Sequence, residues 1–175
     1  MKLYVARHGK SVYNEQHKLS GRRDVPLAEE GIKQAHALAE KCMALGLDLI
    51  LTSPLRRAKE TANIVEAACG VPCLEEARLI EQDFGDYEGI QRSDDRELLW
   101  SEFAVRCPRG ESVLDLAARI YPLLKELKEK YADKTVLLLC HGGVARVIRT
   151  YFYDMTNAEF TGRVLSNGEI EEYQL

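Results

Sequence analysis

Residues 2–14 read KLYVARHGKSVYN, a short apolar run that stops abruptly at Arg7-His8-Gly9. Lys2 to Ala6 has the character of a buried strand. In an open α/β sheet, ligands sit in the crevice beyond the carboxyl ends of the strands, so a cation, an imidazole and a glycine placed there are candidates for chemistry. Thr135 to Cys140, TVLLLC, is the most strand-like run in the chain, apolar throughout as a strand covered on both faces must be. It gives way at once to His141-Gly142-Gly143. Asp48 to Thr52, DLILT, is another short strand, and it meets Ser53-Pro54, which reads as a helix start with serine as N-cap and proline at the first position.

Helical periodicities fill the intervals. Ile32, Ala35, Leu38, Ala39, Cys42 and Leu45 predict a helix over 28–45, ended by Gly46. Leu55, Ala58, Thr61, Ala62 and Val65 predict one over 54–68, with Arg57 at the edge of the apolar stripe and Arg56 turned to solvent. Val113, Leu116, Ala117, Ile120, Leu123, Leu124 and Leu127 predict a long helix from 111 or 112, kinked or divided at Pro122. Val144, Val147, Ile148 and Tyr151 predict a helix directly after His141, and residues 170–175 a last strand at an edge. Residues 15–26 read as an irregular basic segment in which Arg22 and Arg23 are solvated, 73–80 as extended, and 81–89 as an acidic turn.

Alternating strands and helices predict an α/β fold of three layers, with a mainly parallel central sheet and helices on both faces. Right-handed crossovers put the carboxyl ends of the strands on one rim, which brings Arg7, His8, Arg57 and His141 together.

The 175 residues fit one domain over 1–175. No apolar run approaches the roughly 20 residues of a membrane span, and the opening strand leaves no room for a signal peptide, so a cytoplasmic protein without membrane contact is expected. Five cysteines, none in a CxxC pair, read as thiols. A net charge of −4 argues against a nucleic-acid surface while allowing one locally positive pocket.

Two guanidiniums converging on one place suit a compact, multiply charged anion, and phosphate matches because arginine grips its oxygens bidentately. Glycines after both histidines let backbone approach the ligand, and the helix after His141 points its positive end inward. A neutral imidazole beside a trapped phosphoryl group is a candidate nucleophile. The departing alkoxide then needs a proton. Glu81, Asp83, Asp86 and Glu88 could each supply it, and nothing in the residues alone chooses among them. A metallophosphatase would use the same histidines with acidic ligands, but no HxH or DxH spacing supports one.

Arg7 to Asn14 resembles the RHG[E/Q][T/S]xxN signature of the histidine phosphatase superfamily, the phosphoglycerate mutase-like proteins. Further segments resemble it in order: Gly21 with Asp24 to Leu27 and Gly31; Ser53 to Ala58 with Thr61-Ala62; Leu79 to Gly89 as LxExxFGxxEG; Gly110-Glu111-Ser112; and His141-Gly142. The resemblance implies a transient phosphohistidine on His8, with Arg7, Arg57 and His141 around the phosphoryl group. It also implies that Asn14, Ser20, Gly21 and Gly142 line the phosphate pocket. By position in LxExxFG, it selects Glu81 as proton donor and then as base. No metal or organic cofactor is implied. The implied partner is a small phosphate ester, and the oligomeric state stays open between monomer and homodimer. Lys10 departs from the usual Glu or Gln and adds a cation at the mouth. The segment over 90–109, where relatives carry a lid, is short, which favours hydrolysis over the mutase reaction; a non-catalytic phosphate-binding module is the remaining alternative.

Overall fold

The computed structural model describes residues 1–91 and 102–175. Five strands form one sheet: β1 (Lys2–Arg7), β2 (Leu49–Thr52), β3 (Cys73–Glu75), β4 (Thr135–Cys140) and β5 (Ile170–Gln174), in the order β3-β2-β4-β1-β5. All neighbours are parallel except β5, which runs antiparallel to β1 at the edge. The helices are α1 (Val12–Glu15), α2 (Glu29–Cys42), α3 (Arg56–Cys69), α4 (Val113–Lys130), α5 (Gly142–Phe152) and α6 (Asn157–Gly162).

Alternation along the strands sorts the core into two layers. Val136, Leu138 and Cys140 point to one face with Leu3 and Val5, against Leu116, Ile120 and Leu124 of α4 and Val144 and Ile148 of α5. Leu137 and Leu139 point to the other with Tyr4, Ala6 and Ile50, against Leu38 of α2 and Ala58, Ala62 and Val65 of α3. The α/β architecture with helices on both faces is the one expected from the alternation of periodicities. Among the described residues no helix is long and apolar enough to cross a membrane.

Several local expectations need correction. Ile32 is 44% exposed; the inner face of α2 is Gly31, Ala35, Leu38, Ala39 and Cys42. The helix after β2 begins at Arg56 with Leu55 at its N-cap, so Ser53 does not cap it. Its buried hydroxyl goes instead to a histidine described below. Helix α4 starts after Ser112, whose side chain forms a capping box with Asp115, and runs through Pro122 as one element. Pro122 lies on the exposed side of α4, where water can satisfy the carbonyl that its missing N–H leaves free. The segment over 73–80 is only partly extended: β3 ends at Glu75 and a 3₁₀ turn follows over Ala77–Leu79. Helix α6 was not foreseen, although Thr156 and Glu159 form a capping box at its start, a pairing visible in the sequence. Half of the short segment over 90–109, Trp100 included, lies outside the described residues.

Candidate active site

Strand register builds the site. Arg7 of β1 pairs with Cys140 of β4, and Thr52 of β2 with Leu139 of β4, so the residues that follow, His8, His141 and Ser53, emerge side by side on one rim. The backbone N–H of His8 donates to the Cys140 carbonyl at 3.1 Å, and that of Ser53 to the Leu139 carbonyl at 3.0 Å. The two imidazoles meet edge to face, 5.0 Å between ring centroids.

The tautomer of His8 follows from its partners. Nδ1 lies 2.6 Å from the Gly9 carbonyl oxygen, which can only accept, so Nδ1 carries the proton. Nε2 is then a bare lone pair, and it accepts from Arg57 Nε at 3.1 Å. Burial, and next to it the charges of Arg57 and Arg7, hold the imidazole well below its ordinary pKa, so the ring is neutral at physiological pH.

His141 is fully buried and bonds Ser53 Oγ through Nε2 at 2.7 Å. Ser53 Oγ also accepts the Leu55 N–H at 3.3 Å. The other ring nitrogen of His141, Nδ1, is buried and without a partner among the described residues. Burial, then the charges of Arg57, Arg7 and Arg119, also keep this ring neutral.

Arg57 enters from the first turn of α3 and is 1% exposed. Its guanidinium makes a full fork: Nε to His8, Nη1 to the Arg23 carbonyl at 2.8 Å and Nη2 to the Gly21 carbonyl at 2.7 Å. Burial lowers its pKa to about 10, offset in part by Glu81, Asp24 and Glu88, so it stays charged at neutral pH. Arg7 donates from Nη1 to the Leu165 carbonyl at 2.8 Å, and a Cβ on Gly142 would sit 3.4 Å from its Cζ, so glycine there leaves the guanidinium its room. A Cβ on Gly9 would collide with the Gly31 carbonyl oxygen, which is why α2 can approach the loop after β1 so closely. Thr61 ties that loop to α3, accepting the Gly9 N–H at 3.1 Å and donating to the Arg57 carbonyl at 2.9 Å.

Of the four acids in the turn over 81–89, only Glu81 lines the cleft. Its carboxylate accepts the Gln82 N–H at 2.9 Å and the Gly143 N–H, at the start of α5, at 3.1 Å. Glu88 is turned inward, accepting the backbone N–H groups of Arg22 and Phe84 at 2.8 and 3.2 Å. Asp86 pairs with Arg109, and Asp83 with Arg22 at 3.4 Å. Arg22 is therefore not a solvated loop residue: it donates to Glu111 at 2.7 Å.

The cleft, of about 220 Å³, is lined by Arg7, His8, Asn14, Ser20, Gly21, Arg57, Glu81 and Gly142, all expected from the sequence. Lys10 and His141 are not part of its wall; His141 stands behind His8. Leu19, Phe84, Gly143, Arg146, Thr161 and Val164 complete it; the sequence reading met Gly143 only as a glycine after His141 and Phe84 only within LxExxFGxxEG, and singled out none of the other four. Asn167 was missed as well. Its amide donates to the His8 carbonyl at 3.0 Å and to Asn14 Oδ1 at 3.3 Å, although Ser166-Asn167-Gly168 reads merely as a turn. Asn14 Oδ1 also accepts from Ser11 N and Oγ at 3.1 and 3.0 Å, which leaves its NH₂ as the free donor on the cleft side.

The histidine phosphatase superfamily (branch 1) matches this sequence over residues 3–175. The chain belongs to that superfamily. Among curated relatives, a probable phosphoglycerate mutase GpmB of Klebsiella pneumoniae is 35% identical over 150 residues, 81% of this chain and 70% of that protein. Among solved structures, a mycobacterial glucosyl-3-phosphoglycerate phosphatase in complex with VO3 superposes with a TM-score of 0.87 at 30% identity, covering 98% of this chain and 90% of the other. Bacillus stearothermophilus YhfR gives a TM-score of 0.89 at 27% identity, covering 99% and 91%. This histidine phosphatase fold thus has both phosphatases and mutase-named proteins among its relatives. Among its described residues, no group of three or more His, Cys, Asp or Glu could hold a metal ion.

Proposed function

We propose that this histidine phosphatase hydrolyses small-molecule phosphate monoesters through a phosphohistidine on His8, with Glu81 as general acid and base and with neither metal nor organic cofactor. The observation that carries the reading is the bare, uncharged Nε2 of His8, held in place by Nδ1–H···O=C and flanked by two arginines. Its lone pair, freed as the Arg57 Nε–H turns to a phosphoryl oxygen, attacks phosphorus as the ester P–O bond breaks. The leaving oxygen takes a proton from the Glu81 carboxyl group. Positive charge then appears on the imidazole, where the Gly9 carbonyl faces it.

Water next attacks the phosphorus of the P–N bond and gives its proton to the Glu81 carboxylate. Nitrogen leaves with its electron pair, and the neutral histidine returns. Arg7 and Arg57 stabilise the equatorial oxygens, and the buried His141 ring supports the His8 imidazole edge to face from behind. Asn14, Ser20, Gly21 and Gly142 complete the phosphate pocket. A phosphatase relative solved with VO3 and with inorganic phosphate supports an oxyanion as a ligand of this fold.

The test is phosphate release from p-nitrophenyl phosphate in EDTA, with acid-quench trapping of labelled phosphate on the protein. Wild type turns over and carries label. His8→Ala loses both, with a fall of roughly 10⁴-fold or more in kcat, as expected when a nucleophile is removed. Undiminished turnover by that variant overturns the reading, and EDTA-sensitive activity restored by a divalent metal points to a metallophosphatase. Isomerisation of a phosphoglycerate faster than its hydrolysis would favour the reaction in the relative's mutase name.

A further inference from the structure

Glu81 sits on a loop, and general acid catalysis tolerates little misplacement of the proton donor. Residues well outside the phosphate pocket grip that loop by its backbone. Arg119, on the second turn of α4, donates from Nη2 to the Glu81 carbonyl at 3.1 Å and from Nη1 to the Arg78 carbonyl, so one guanidinium spans both sides of the turn leading into Glu81. Arg22 Nε reaches the same Glu81 carbonyl at 3.5 Å.

Glu111 locks the two cations. Its Oε1 accepts from Arg22 at 2.7 Å and from Arg119 Nε at 3.4 Å, and its Oε2 accepts from Arg119 Nη2 at 3.3 Å and from the Asp83 N–H at 3.0 Å. Its backbone pairs with the same loop, donating to the Asp83 carbonyl at 2.8 Å and accepting from Gln82 Nε2 at 3.0 Å. The side chains of Glu111 and Arg119 are 19% and 17% exposed, so these pairs are sheltered from solvent screening.

We infer that the Arg22–Glu111–Arg119 ion cluster is a positioning device for Glu81, holding the carboxyl group at the distance from the leaving oxygen at which proton transfer is efficient. Neither Arg119 nor Glu111 lines the cleft, so they are positioning residues and do not touch substrate. The inference rests on the proposed role of Glu81. A residue that only stabilises the fold would slow all esters alike. One that places the acid slows only esters whose leaving oxygen needs the proton.

The experiment compares phenyl phosphate with 2,4-dinitrophenyl phosphate, whose phenoxide leaves without help, in wild type, Glu81→Gln, Arg119→Lys and Glu111→Gln, with the thermal midpoint of each recorded. kcat/KM is read because it reports the step in which the leaving group departs. Arg119→Lys is expected to lose about tenfold or more on phenyl phosphate and to stay within about twofold of wild type on the dinitrophenyl ester, with Glu81→Gln showing the same split more strongly. A split in Glu81→Gln together with equal losses, or no loss, in Arg119→Lys overturns the positioning role alone. No split in Glu81→Gln overturns the acid assignment and this inference with it. Glu111→Gln repeats the measurement if Arg119→Lys does not fold.

Discussion

The two ends of the cleft are built differently. The phosphoryl end is made of Arg7, His8, Arg57 and the buried His141 behind them, each leaving the end of a strand or the start of a helix, each buried, and each tied by a hydrogen bond to a strand neighbour, a carbonyl or another site residue. The far end is made of Leu19, Phe84, Arg146, Thr161 and Val164, drawn from loops, from the second turn of α5 and from the short α6 and its exit, with Val164 48% exposed. Under the proposed function, one end is a preorganised receptor for a tetrahedral anion. The other is a mixed apolar and polar wall of the kind that accepts many alcohols, because an apolar pocket discriminates neighbouring shapes by only about 1–3 kcal/mol.

The sharpest way to break this contrast is at Arg57. Arg57→Lys keeps the charge but cannot make the three-way fork to His8, Gly21 and Arg23. Because it acts on the shared phosphoryl group, kcat/KM should fall by roughly 10²–10³-fold, and by a similar factor for every ester tested. A loss confined to some leaving groups would contradict the division of labour between the two ends.

Gly9→Ala probes the same end through stability. The new methyl has only the Gly31 carbonyl to meet, so a loss of about 1–3 kcal/mol is expected, read as a thermal midpoint several degrees lower. An unchanged midpoint would mean that α2 can retreat, and that this end is less rigid than its packing implies.

Acid should weaken the phosphoryl end next. His8 and His141 have folded pKa values below the ordinary 6.5, mainly through burial. Between those folded values and 6.5, the unfolded chain takes up protons that the folded chain refuses. Their contribution is therefore fully present above about pH 6.5 and is lost as pH falls toward the folded values, at up to about 1.4 kcal/mol per pH unit for each ring. His141→Asn should flatten the slope of stability against pH between 7 and 5. An unchanged slope would mean that His141 binds its proton in the folded protein as it does in the unfolded chain. For the same reason the nucleophile stays deprotonated on the acid side of 6.5.

The smallest effects belong to the far end. Val164→Ala and Leu19→Ala should shift kcat/KM by less than about tenfold, in directions that differ between bulky and small esters, while phosphate inhibition stays the same. A uniform loss across esters would show these side chains supporting the phosphoryl end instead.

The legibility of the sequence followed the same line. Residues 2–8 and 135–141 were readable because a strand buried on both faces must be apolar, and the polar residues that end it stand out. Arg57 was readable because helical phase put it on the edge of the apolar stripe. Ser53 was misread: serine before proline is a strong local helix-start signal, and nothing nearby in sequence announces a histidine 88 residues later as its partner. Glu81 could be singled out only by resemblance. The feature that sets it apart, a carboxylate reaching the N–H of Gly143 while its neighbours turn to Arg22 and Arg109, is a contact across the fold.

By itself, the sequence determined the alternation of strands and helices, the gathering of strand ends on one rim and the identity of the groups placed there, because periodicity and local propensity act over a few residues. Only the tertiary structure decided the tautomer of His8, the fork of Arg57, the ion cluster behind Glu81 and the wall contributed by α5 and α6. Each of these depends on a donor meeting an acceptor from a distant part of the chain, and that pairing exists only once the sheet register and helix packing have been set.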